Sequence, residues 1–120
     1  MSIRGIDAER VVMLNACEDY ALLWQICGEI RDLWPDEGEE SALQAARLAA
    51  RALLQRGLLD VYRRESRGSA FVRLDSPERE AALDCDAYWR ADAEDAVEVG
   101  VAATAAGESA YQVGDDSKPR

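Results

Sequence analysis

The chain contains no histidine. That removes the side chain whose charge changes nearest neutral pH, the commonest metal ligand, and the Ser-His and Cys-His pairs of nucleophilic catalysis. Lysine occurs once, as Lys118, so basic charge is carried by arginine. The cysteines Cys17, Cys27 and Cys85 are odd in number and show no C-x-x-C spacing. Neither a disulfide framework nor a zinc site is expected from them; buried free thiols in a reducing compartment are. No glycine-rich phosphate loop follows a strand pattern, and the acids do not form a calcium-loop signature. No stretch approaches the roughly 18 apolar residues of a membrane span, and the first residues precede no run of signal-peptide length. These absences lead us to expect a non-enzymatic, cytoplasmic protein without metal, cofactor or membrane partner.

What the chain does have is acid. Its net charge is −10 over 120 residues, and 48% of those residues are hydrophobic, enough for one core. We expect a single domain over residues 1–113 and a flexible polar tail over 114–120. The charge is unevenly spread: residues 44–73 carry +5, residues 1–43 carry −7 and residues 74–120 carry −8. A charge of this size repels phosphate at long range, so any nucleic-acid contact has to be local.

Hydrophobic spacing predicts a first helix over Asp7 to Cys17, with Ala8, Val11, Val12, Leu14 and Ala16 inward. Tyr20 to Trp24 reads as a brief extended segment or as an extension of a helix; the extended reading is preferred. A second helix from Trp24 to Leu33 turns Ile26, Cys27, Ile30 and Leu33 inward and stops at Pro35. After a loop at 35–38, an alanine-rich third helix runs from Glu39 to Arg56. Leu43, Ala46, Ala50, Leu53 and Leu54 form its apolar side, and Gln44, Arg47, Arg51 and Gln55 form a polar stripe. Gly57 suits the left-handed position that ends it.

Alternation then predicts a hairpin, Leu58 to Arg64 and Ala70 to Leu74, around a turn at 65–69. Ser76-Pro77 opens a short helix reaching Leu83, with Ser76 as its cap. Residues 84–94 read as irregular and acidic, with Tyr88-Trp89 docked on the core. Val97 to Val101 alternates as a further strand, expected at an edge of a three-stranded sheet. Thr104 caps a last helix of one or two turns, Ala105 to Gln112, with Tyr111 packed inward. The fold class is α+β: three N-terminal helices, a β-hairpin, an additional C-terminal strand and short helices.

The order helix, extended segment, helix, helix, hairpin resembles the winged helix-turn-helix superfamily over roughly residues 7–74. Ala52-Leu53-Leu54-Gln55-Arg56-Gly57-Leu58-Leu59 resembles the helix-to-strand junction of MarR-like and PadR-like regulators, and Phe71-Val72-Arg73-Leu74 their returning wing strand. Ala103-Thr104-Ala105-Ala106-Gly107-Glu108 resembles the threonine-x-x-glycine opening of a later helix. The Ala, Arg and Asp richness with Trp24 and Trp89 resembles small winged-helix proteins of high-GC actinobacteria or their phages. The resemblance implies that the third helix enters a major groove and that residues 64–70 form the wing. Gln44, Arg47 and Arg51 would then face the bases or phosphates, and Arg63, Arg64, Arg67 and Arg73 would hold backbone phosphate. The sequence departs from that pattern at the N-terminal end of the helix, where Asp36, Glu37, Glu39 and Glu40 oppose phosphate.

Two functions follow as expectations. The first and preferred is a protein-protein interaction or regulatory module whose acidic surface steers it to a basic protein, through the Val97 to Val101 edge or the third-helix face. The alternative is a transcriptional regulator that binds duplex DNA as a homodimer through the third helix and the arginine-rich wing.

Overall fold

The computed structural model describes residues 3–18, 21–66, 68–90 and 97–116, with residues 112–116 as backbone alone. Among these described residues, five α-helices and a four-stranded antiparallel sheet make an α+β protein. The helices are α1 (Gly5–Glu18), α2 (Leu23–Leu33), α3 (Gly38–Gln55), α4 (Glu78–Asp84) and α5 (Ala105–Asp116). The strands are β1 (Ala21–Leu22), β2 (Leu59–Arg64), β3 (Val72–Arg73) and β4 (Glu98–Ala103), ordered β1-β4-β2-β3. Among the described residues no helix is long and apolar enough to cross a membrane.

The N-terminal half forms as its spacing predicts. Ala46, Leu53 and Leu54 of α3 are buried beside Ile26 and Ile30 of α2 and Val12 of α1. At the end of α3 the Leu58 N–H donates to the Leu53 carbonyl and the Gly57 N–H to the Leu54 carbonyl, each at 3.0 Å. This double bond pattern requires a left-handed residue after the cap. Gly57 supplies it at φ 75°. The chain is thereby reversed from α3 directly into β2.

Two side chains expected inward are exposed, Leu14 and Leu33, while Met13 is fully buried in place of Leu14. A helix turns 100° per residue, so α1 can present either neighbour to a core packed on one side. Its partners α3 and β4 select Met13.

The C-terminal half departs further. Val97 to Val101 was expected at an edge, yet β4 lies between β1 and β2, in register with Ala21 to Leu22 on one side and with all of β2 on the other. Val99 and Val101 are buried. The reason is β1: β3 and β4 take opposite sides of β2, and Ala21 and Leu22 pair with the outer side of β4, which would otherwise be the edge of the sheet. Unpaired strand edges expose backbone donors and acceptors. Here both edges are two-residue strands.

Residues 84–90 are ordered rather than irregular. A 3-10 turn at Asp86–Trp89 buries Trp89 against α2, and its indole N–H donates to the Leu83 carbonyl at 2.9 Å. Ser76 does not cap the α4 backbone; its hydroxyl donates to Glu80 at 2.7 Å. Helix α5 is longer than expected and takes in residues 114–116. Residues 91–94 of the stretch expected to be irregular and acidic, and residues 117–120 of the expected tail, lie outside the described residues.

Candidate functional site

Helix α3 and the β2–β3 hairpin place the expected arginines in two groups. Arg47 and Arg51, four residues apart, lie on one line of α3, where they meet the end of α4 and the turn after it. Arg51 Nη1 donates to Asp84 Oδ1 at 3.0 Å, and Arg47 pairs with Asp86. The Arg47 side chain is only 18% exposed, and its buried Nε has no hydrogen-bond partner. Gln44, on the same helix, is exposed.

The second group lies on the hairpin. Arg64 donates through Nε to Glu98 Oε1 at 2.8 Å, while the Trp24 indole donates to Glu98 Oε2 at 3.4 Å. The Arg64 guanidinium also sits 4.7 Å from the Phe71 ring centroid, within cation–π range. With Arg64 23% and Glu98 10% exposed, this is a charge-assisted pair held largely out of water. Arg63 and Arg73 are looser, paired with their chain neighbours Glu65 at 3.7 Å and Asp75 at 3.5 Å. Arg67 lies outside the described residues.

Each of the five described arginines in the expected contact set therefore has a carboxylate within 4 Å. Sequence reasoning identified the cations and missed their partners Asp84, Asp86 and Glu98. The signal was weak: these acids stand 33 to 39 residues from their arginines and read as solvated surface. Only the docking of α4 on α3, and of β4 on β2, turns them into counter-charges.

The described surface also contains shallow clefts. One of about 770 Å³ runs along α2 past Trp24, Gly28 and Leu33 to Trp89, ending at Arg90, the last described residue before 91–96. A second, of about 300 Å³, lies on α3 between Glu40, Gln44 and Leu48 and reaches Ile3. A third, of about 500 Å³, lies between α1 and α5 and is lined by Ile6, Leu14 and Tyr111. The buried thiol of Cys27 is pushed above its usual range by desolvation. Cys17 is half-buried and Cys85 exposed, so burial, expected of the thiols, holds fully only for Cys27.

Fold and surface together define an α+β protein whose basic stripe is met by its own acids. Compared with protein-family models, with curated proteins and with solved structures, the chain finds no match.

Proposed function

We propose that the chain is a winged-helix-like, non-enzymatic protein-interaction module, and that α3 contacts a protein partner of basic chemistry rather than DNA. Support for the winged-helix reading comes from the element order α1, β1, α2, α3, β2, β3 and from the glycine-ended passage of α3 into β2. The insertion of β4 beside β2 is this chain's own variation on that plan.

The observation that carries the interaction reading is the pairing of the arginines. Five cations matched by five carboxylates leave no net charge for phosphate in the described contact set. Duplex DNA would have to displace those acids, two of them from largely buried partners. The exposed part of α3 instead carries Glu40, Gln44 and Leu48, an acidic surface around an apolar side chain. With β4 internal, the α3 face is the surviving candidate of the two contact surfaces expected from sequence.

The test is fluorescence anisotropy of labelled random duplex DNA titrated with the protein at low and at physiological salt. We expect no binding at physiological salt. Tight binding there, weakening steeply as salt is added, would replace this reading with the DNA-binding one.

A further inference from the structure

Two helix faces carry exposed large apolar side chains beside charge of opposite sign. On α1, Ile6 and Leu14 are 66% and 43% exposed and share their groove with Arg4, Arg10 and one acid, Asp7, so its charged lining is basic by one. On α3, Leu48 is 64% exposed and shares its groove with Glu37 and Glu40. Eight of the eleven described arginines have a carboxylate within 4 Å. Arg4 and Arg10 are not among them, and among the described residues Glu40 has no cation at that distance.

We propose that a second copy of the chain covers both faces. The α1 face of one copy seats in the α3 groove of the other, with Arg10 meeting Glu40 and Ile6 or Leu14 packing on Leu48. Charge complementarity selects this arrangement over pairing of like faces. Ile6, Arg10 and Leu14 recur every four residues, so an antiparallel α1–α1 pair that seats Ile6 on Leu14 also stacks two Arg10 side chains together. An α3–α3 pair brings Glu40 toward its own copy. The two grooves also adjoin, because Ile3 lines one and Arg4 the other. A twofold axis near that segment makes both contacts at once, as an isologous dimer requires. The inference rests on the interaction reading for its α3 surface, and the basic, apolar chemistry it supplies is that of the α1 face of a second copy, on a chain whose net charge is −10.

Sedimentation velocity on the full chain tests this over a concentration series to about 200 μM, in the range where small interfaces associate. The proteins are wild type, Arg10→Glu, Glu40→Arg and the double variant. Both positions are exposed, and circular dichroism checks that the fold is kept. The wild type is expected to dimerise, each single variant to associate about tenfold more weakly, and the double variant to recover to within about threefold. An equimolar mixture of the two single variants should also recover, since each contact then joins opposite charges. A wild type monomeric throughout overturns the dimer, as does a dimer indifferent to both reversals or a double variant weaker than either single one. None of these outcomes depends on the DNA titration, which tests the interaction reading on its own.

Discussion

At the scale of single residues, the junction between α5 and the start of β2 shows most clearly why particular side chains stand where they do. Thr104 donates its hydroxyl to the Gly57 carbonyl at 2.7 Å and accepts the Gly107 N–H at 3.0 Å, so one oxygen caps α5 and ties it to the end of α3. Gly107 is buried against the Leu58 carbonyl. A Cβ there would lie 2.2 Å from that oxygen and 3.0 Å from Met13 Cε. Backbone cannot yield as a side-chain tip can, so Gly107→Ala should cost about 2–3 kcal/mol despite the better helix propensity of alanine. Gly28, also inside a helix, is the contrast: its Cβ would meet only Arg31 Nη2, at 3.7 Å. Gly28→Ala should therefore stabilise by about 0.5–1 kcal/mol. Urea denaturation of the two variants checks both signs. Equal effects would mean that helix propensity, and not the approach to Leu58, governs position 107.

At the scale of elements, the chain divides by how locally each piece is determined. The first three helices and β2 are legible because amphipathic spacing, Pro35 and Gly57 act within a few residues. The partner of β2 is not legible. Val99 and Val101 announce a strand, but nothing local to them says that β4 takes the side of β2 away from β3, along six positions, and is itself covered by β1. The α4 region is hidden for a related reason, since its acids acquire meaning only when Trp89 docks it on α2 and α3. That docking has an expected energetic asymmetry. Asp86 faces a largely buried Arg47 with an unpartnered Nε, whereas Asp84 faces an Arg51 that is 43% exposed. Asp86→Ala leaves a poorly solvated cation and should cost about 1–2 kcal/mol, while Asp84→Ala should cost under about 1 kcal/mol. Urea midpoints at unchanged slope measure both. Equal losses would show that Arg47 is as well hydrated as Arg51 once its partner is gone.

At the scale of the whole molecule, composition told more about charge than about where charge could act. The net −10 and the arginine cluster were plain in the sequence, but the neutralisation of that cluster needed the fold. The same global view sets the pH range of stability. Desolvation raises the pKa of the Cys27 thiol, with Arg31 opposing; desolvation likewise raises that of the Tyr111 hydroxyl, with Glu9 adding to it. Both groups are acids that the folded state keeps protonated longer than the unfolded state does. Their contribution is fully present below the unfolded values, about 8.5 for a thiol and about 10 for a tyrosine, and is lost as pH rises through the folded ones. Glu80 works in the opposite sense: the Ser76 hydroxyl and then Arg79 lower its pKa, so its contribution is lost as pH falls below the usual carboxylate range. Acidification also removes negative charge from a chain that carries an excess of it, which offsets part of that loss. Urea midpoints followed across pH should therefore fall earlier on the alkaline side than a chain without buried acids would, beginning near the thiol range. Cys27→Ala should remove that first step and leave the later tyrosine step in place. Its own packing loss shifts the level of the curve and not its shape, so the shapes are what must be compared. A wild-type midpoint that stays flat from about pH 8 to 10 would mean that the Cys27 thiol meets solvent as freely in the folded chain as in the unfolded one.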